Sequence, residues 1–329
     1  MRYQSIGQTG ISASVVGVGT WAISGWMWGS TSESESIRAL HAALDAGINL
    51  IDTAPAYGVG LAEKIVGQAI MGRRDKVVLA TKCGLIWHMA KGEFRLEQDG
   101  KSIYQYLGAE SIRHEVEESL KRLGVDCIDL YQVHWPDPNT PIPETMTALL
   151  DLKREGKIRA IGLSNTSCEQ LDAYRAVGPI DSDQEEYHML DRDHEAGLLP
   201  YLRRNGIAFL AYSPLAQGLL TGKIDAEREF PEGDLRREYP RFSLENRRRV
   251  AAMLDRFKPI VQRRKITLGQ LAIAWTISSA GATHSLVGVR HPGQAIENAL
   301  AADVILDQDE LDLIDRAIRD HAADIPHLW

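Results

Sequence analysis

What most restricts the fold of this chain is a regular alternation of strand-length and helix-length segments, repeated without a compositional break. Strand-length, mostly apolar runs fall at 15–19, 49–52, 77–82, 127–134, 158–164, 207–213 and 285–289, with a weaker, more polar one at 181–187. Between them apolar residues return at three- and four-residue steps, the spacing of one helix face. Ser32-Glu33-Ser34-Glu35 opens the first such stretch as a capping box and Gly47 closes it. Ile112, Val116, Leu120 and Leu123 form another stripe, which Gly124 stops. Adjacent parallel strands need a crossover of a dozen or more residues, usually a helix. Eight such repeats predict one closed parallel sheet, an α/β fold of the (β/α)8 TIM barrel type, in a single domain over 1–329. Residues 2–14, with Gly7 and Gly10 between short alternations, predict an N-terminal β-hairpin. Helical stretches near 243–264, 267–279, 292–302 and 308–320 outnumber the strands left to them, which predicts two extra helices. Two segments, 84–108 and 215–242, read as long loops.

Composition excludes several classes of function. A formal net charge of −8 is the wrong sign for a general nucleic-acid binder. Cys83, Cys127 and Cys168 are odd in number, and none sits at metal-ligand spacing with another cysteine or a histidine pair, so neither a disulfide framework nor a metal is expected. No apolar run approaches 18 residues and the first residues lack a signal-peptide pattern, so the expected setting is the cytoplasm, away from membranes. Gly17-Val18-Gly19-Thr20-Trp21-Ala22 fits the G-x-G-x-x-A dinucleotide fingerprint. That fingerprint needs a helix at its glycines and an acid closing the next strand about 20 residues on. Here a loop bearing Trp21, Trp26 and Trp28 intervenes, so the Rossmann reading fails.

Barrel enzymes place their chemistry at the carboxyl ends of strands. In Asn49-Leu50-Ile51-Asp52-Thr53-Ala54-Pro55-Ala56-Tyr57-Gly58 a strand ends on an acid, and a tyrosine follows in a loop. Three later strands end on Lys82, His134 and Asn165. Any one could be a turn former or a packed core residue; four at regular spacing point to one site.

With these residues in hand, the chain resembles the aldo-keto reductase superfamily over nearly its full length. The resemblance is carried by GVGTWAISG, INLIDTAPAYG, VVLATKCG, IDLYQVHWPD, GKIRAIGLSN, AYSPLAQGLLTGK and LVGVRHPGQAIENA, each beside the strand the family requires. The Trp-Ala-Ile-Ser-Gly-Trp-Met-Trp run and the HWPD segment are similar to the bacterial branch that includes general-stress reductases. The resemblance implies a catalytic tetrad of Asp52, Tyr57, Lys82 and His134, with NADPH or NADP+ extended across the barrel mouth. It implies that Ser164, Asn165 and Gln184 hold the carboxamide, beside Gly19, Thr20, Trp21 and Asp52, while Tyr212 stacks on the nicotinamide. Ser213, Pro214, Leu215, Gln217, Gly218 and Lys223 would pass the pyrophosphate, and Gly288, Arg290, Gln294, Glu297 and Asn298 would surround the adenosine. One departure stands out: many relatives carry a Gln-Pro-x-Tyr-Asn-like run where this chain has Gln184-Glu185-Glu186-Tyr187-His188.

The chemistry expected of these residue types agrees. Hydride reduction of a carbonyl leaves an oxyanion that must be protonated as it forms. Tyrosine is a poor acid at its reference pKa of about 10, and a nearby cation makes it a better one. Lys82 can supply that charge, Asp52 can hold Lys82 protonated, and neutral His134 can polarise the carbonyl. Arg290, just before a helix at Pro292, suits a 2′-phosphate. The expected substrate is a small aldehyde, ketone or sugar, with Trp21, Trp28, Tyr57, Trp87, His134, Trp135 and the tail near Trp329 as candidate walls. Two other readings remain open at this level: a lysine-imine barrel enzyme using Lys82, and a non-catalytic NADPH-binding regulatory subunit.

Overall fold

The computed structural model describes residues 1–29 and 31–327. Trp329, named above as a candidate wall, lies outside the described residues. Strands β1 (Tyr3–Ser5) and β2 (Ser12–Ser14) pair antiparallel as the expected hairpin. The barrel strands are β3 (Val16–Gly19), β4 (Leu50–Asp52) and β5 (Val78–Cys83), then β9 (Ile128–Val133), β10 (Ile158–Ser164), β11 (Ser182–Glu186), β12 (Ala208–Tyr212) and β13 (His284–Gly288). They pair in parallel in chain order, and β13 closes on β3. The crossovers run through α1 (Glu33–Asp45), α2 (Leu61–Ile70), α3 (Ala109–Leu123), α4 (Ile142–Arg154), α5 (Cys168–Arg175), α6 (Leu198–Asn205) and α9 (Leu268–Ser278), and α10 (Pro292–Leu300) follows the last strand.

Outside this repeat stand α7 (Leu244–Arg256) with α8 (Lys258–Arg264), and α11 (Gln308–His321), which packs on α7. The run 243–264 is therefore broken at Phe257. Pro259 cannot donate an interior helix bond but is tolerated in a first turn, so a new helix starts there. Among the described residues no helix is long and apolar enough to cross a membrane.

Period-two alternation in the strands builds the site's platform. Leu50, Ala80, Leu130, Leu210 and Leu286 point into the barrel and form a buried apolar layer. Ile6, Ile11 and Ala13 of the hairpin join this cluster and plug the barrel bottom. A Cβ on Gly17 would come within 2.9 Å of both Leu50 and Leu286, so only glycine fits this tight layer. Two residues further along β4, β5 and β9 the inward positions are Asp52, Lys82 and Gln132, all buried. Polar groups placed above an apolar plug are shielded from water on one side and open to the barrel mouth on the other. The odd-numbered neighbours Ile51, Leu79, Tyr131 and Ile161 face outward into the core beneath the helices.

The segment 84–108 differs from the loop expected of it. It forms a three-stranded antiparallel sheet of β6 (Leu85–Ile86), β7 (Glu93–Gln98) and β8 (Lys101–Gln105). Asp99 and Gly100 turn between the last two strands with φ of +50° and +72°. Asp-Gly is a preferred pair where both turn residues must be left-handed.

Candidate active site

Asp52 is the hub of the polar layer. Its Oδ2 accepts from Lys82 Nζ at 2.6 Å, and its Oδ1 accepts from Gln132 Nε2 at 2.9 Å and Gln184 Nε2 at 3.0 Å. Residues from four strands thus converge on one carboxylate. Lys82 spends its remaining donors on Thr53 O at 3.0 Å and Tyr57 Oη at 3.3 Å, so the three N–H groups of the ammonium are all engaged. Burial opposes the Lys82 charge, but the Asp52 carboxylate and Tyr57 outweigh it and raise the pKa above the ordinary lysine value.

Tyr57 sits under opposing influences. Burial raises its pKa and leaves it above the ordinary value; the Lys82 cation pulls it down and Asp52 pushes it up. Its ring is flanked by Trp21, stacked at 6.4 Å between centroids, and by His134, edge-on at 5.8 Å. Burial, with the Lys82 charge second, pushes the His134 imidazolium well below its usual pKa, so the ring is neutral near pH 7. A neutral imidazole keeps one N–H to donate. Asp52, Tyr57, Lys82 and His134 therefore meet at the tip of the barrel.

A cavity of about 730 Å³ opens above them. Every residue named as a cofactor candidate lines it, from Gly19, Thr20, Trp21 and Asp52, through Ser164, Asn165, Gln184, Tyr212, Ser213, Pro214, Leu215, Gln217, Gly218 and Lys223, to Gly288, Arg290, Gln294, Glu297 and Asn298. Tyr212 donates to Asn165 Oδ1 at 3.0 Å, and Asn165 Nδ2 donates to the His134 carbonyl at 3.0 Å. Ser164 Oγ donates to the Gln184 carbonyl at 2.7 Å. Ser213, Ala216, Gln217 and Gly218 all have positive φ, from +46° to +95°. The turn is closed by Ala216 N–H donating to Ser213 O at 2.8 Å and Gly218 N–H to Leu215 O at 2.9 Å. Arg290 donates its backbone N–H to Gln294 Oε1 at 2.8 Å and its guanidinium reaches Trp28 O at 3.4 Å.

Of the expected walls, Trp21, Trp28, Tyr57, His134 and Trp135 line this cavity. Trp87 does not. It lies just past the end of β6 in a separate hollow, where Lys101 and Arg122 pack against its ring. In its place the small sheet supplies Arg95, Leu96, Gln98 and Ile103. The Asp99-Gly100 turn between alternating runs was the available signal for that sheet. Gln132, in the middle of a strand, also went unassigned as a site residue. Its inward parity with Leu130 could have placed it.

The segment 215–242 folds over the other side. Leu235 N–H donates to Met27 O at 3.1 Å, and the Arg236 guanidinium lies 5.2 Å from the Trp28 ring and 4.9 Å from the Phe230 ring. The unusual Glu186 and His188 are explained by Arg241, which is fully buried. Its Nη1 donates to Glu186 Oε1 at 2.9 Å and Gln217 Oε1 at 3.2 Å, and its Nε to Pro326 O at 2.9 Å. Burial alone would raise the Glu186 carboxyl, but His188 and Arg241 overcome it and hold the pKa at about 2.

The profile of the Aldo/keto reductase family matches residues 15–319. The chain is 46% identical to the aldo-keto reductase YhdN of Bacillus subtilis, over 89% of this chain and 86% of that one. It is 42% identical to an NADH-specific methylglyoxal reductase of Escherichia coli, over 93% and 95%. Among solved structures, a glycerol dehydrogenase of Gluconobacter oxydans superposes with a TM-score of 0.87 at 38% identity, covering 97% of this chain and 95% of that one. The chain belongs to the aldo/keto reductase family.

The electrostatics make one prediction. An ordinary imidazole is half-charged near pH 6.5. The His134 ring should remain neutral through that pH when followed by ¹⁵N NMR, with His134→Gln assigning the signals. A protonation midpoint at or above about 6.5 would contradict the environment described here.

Proposed function

We propose that the protein is an NADPH-dependent reductase of aldehydes, ketones or sugars, with Tyr57 as the general acid. The observation that carries this reading is the Lys82 ammonium, held between the Asp52 carboxylate at 2.6 Å and the Tyr57 hydroxyl at 3.3 Å. Lys82 is charged there, and a charge beside the phenol stabilises the phenolate left when the proton departs. Neutral His134 donates its N–H to the substrate oxygen and holds the carbonyl against the cofactor side of the cavity. Trp21, Trp28 and Trp135 exclude water around it.

The residues present suit the dinucleotide. Cationic Lys223, Arg228, Arg236 and Arg290 line the cavity towards the 213–218 turn and the start of α10, while Tyr212 and Asn165 lie beside the tetrad. When bound, NADPH supplies the hydride. Ser164, Asn165 and Gln184 would hold its carboxamide, the left-handed turn with Lys223 its pyrophosphate, and Arg290 its 2′-phosphate. One relative is named as NADH-specific, whereas two solved structures from Klebsiella pneumoniae are complexes with NADP and NADPH. Arg290 favours the phosphorylated cofactor for this chain. The three free cysteines suit a reducing compartment such as the cytoplasm. A lysine-imine reaction would need Lys82 to lose its proton, and its raised pKa and three engaged N–H groups work against that.

Replacing Tyr57 with Phe should leave NADPH binding intact and lower turnover of a generic aldehyde by about 10²- to 10⁴-fold, the usual weight of general acid catalysis. Near-native turnover with retained fold would remove Tyr57 from that role. Arg290→Ala should weaken NADPH by roughly 10- to 150-fold, the equivalent of about 1.5–3 kcal/mol for a charge-assisted bond, and NADH far less. Equal losses for both cofactors, read by fluorescence titration, would make Arg290 structural.

A further inference from the structure

The loop that carries Tyr57 is strained. Gly58, Val59 and Gly60 follow it with φ of +64°, +50° and +92°. A β-branched residue at positive φ is a genuine outlier, and such conformations persist only where surrounding contacts hold them. The barrel holds this loop through Lys82, at Thr53 O and the Tyr57 hydroxyl, and leaves the Ala56 and Gly58 peptides to other partners. Within the loop, Tyr57 N–H reaches Ala54 O at 3.2 Å and Gly60 N–H reaches Pro55 O at 2.7 Å.

The outside contact comes from the small sheet of residues 85–105. Gln98, at the end of β7, is buried. With its amide oriented to suit its neighbours, Nε2 donates to Ala56 O at 3.1 Å and Oε1 accepts from Gly58 N–H at 3.1 Å. One side chain therefore grips the backbone on both sides of Tyr57. The paired strand does the same service for the opposite wall. Buried Gln105, at the end of β8, donates Nε2 to Pro136 O, two residues beyond His134. Just past it, Leu107 N–H donates to Asp137 Oδ2 at 3.1 Å.

We propose that Gln98 is a positioning residue for the proton donor: through the Ala56 and Gly58 peptides it fixes the Tyr57 hydroxyl against Lys82, while Gln105 braces the His134 loop from the same sheet. This rests on the reductase reading above. The sheet is thus a strut between the two loops that flank the substrate carbonyl, as well as a wall of the cavity. A displacement of about 1 Å at a reacting group can cost on the order of 100-fold in rate. Losing the grip should act on turnover and leave cofactor binding alone, since the hydrogen bonds of Gln98 go to the Ala56 and Gly58 peptides of the Tyr57 loop.

The test is a double-mutant cycle of Gln98→Met with Tyr57→Phe, measured as single-turnover reduction of a generic aldehyde by NADPH. Fold is checked by thermal melting and NADPH affinity by fluorescence. In the wild-type background Gln98→Met should slow the reaction by about 10- to 100-fold, with NADPH affinity unchanged. In the Tyr57→Phe background the same change should cost no more than about two-fold, because the group it positions is already gone. An equal loss in both backgrounds, or no loss in the first, overturns the proposal while leaving the reductase reading intact. Absence of any reduction by the wild-type protein would instead overturn the reductase reading. Should Gln98→Met fail to fold, Gln98→Glu keeps an acceptor for Gly58 N–H and is read in the same cycle.

Discussion

The buried pair of Lys82 and Asp52 is the interaction on which the rest of the site depends. Two charges removed from water are tolerable only when their hydrogen-bonding capacity is met, and removing one partner of such a pair costs about 3–5 kcal/mol. Here the pair is met on every side. Gln132 and Gln184 donate to Asp52, and Thr53 and Tyr57 accept from Lys82. Because the side chains of Asp52, Lys82, Gln132 and Gln184 come from β4, β5, β9 and β11 of one closed barrel, none can shift without disturbing the others. The ion pair therefore does two things at once: it keeps a cation under the phenol, and it locks the register of the barrel tip.

Around this rigid centre, the tryptophan loop, the sheet of 85–105 and the segment 215–242 complete the cavity. The sheet of 85–105 grips the loops of Tyr57 and His134. The segment 215–242 crosses to the tryptophan loop through Leu235 and Arg236. Arg241 ties that segment to Glu186 on β11 and to the C-terminal tail at Pro326. The barrel thus supplies the buried Lys82–Asp52 pair, and the inserted segments supply shape together with Arg95, Lys223, Arg228 and Arg236. This division accounts for the departure on the sixth barrel strand: Glu186 and His188 serve a buried arginine, and Gln184 keeps its place beside Asp52.

How far the fold could be read from sequence follows the same division. Seven barrel strands were legible as apolar runs flanked by helices, and the polar β11 was legible chiefly from its place in the alternation. Asp52, Lys82 and His134 were legible because polar residues ending such runs are conspicuous. The inserted sheet was not, since its strands expose most of β7 and lack a continuous apolar signal. Its Asp99-Gly100 turn was the one local clue. Trp87 was assigned to the cavity by analogy with the other loop tryptophans, and β6, which it follows, is a two-residue strand too short to show periodicity. The grip of Gln98 on the Tyr57 loop joins residues some 40 positions apart, and no local pattern announces it.

In the proposed reaction Lys82 stays charged, hydrogen-bonded to Tyr57 and never covalently attached to the substrate, while hydride comes from the cofactor. Reaction of an aldehyde with [4-²H]NADPH, followed by mass analysis of product and protein after borohydride treatment, tests it directly. Deuterium is expected on the carbinol carbon of the product, with no substrate-sized adduct on Lys82. An adduct trapped at Lys82, with no deuterium in the product, would contradict it.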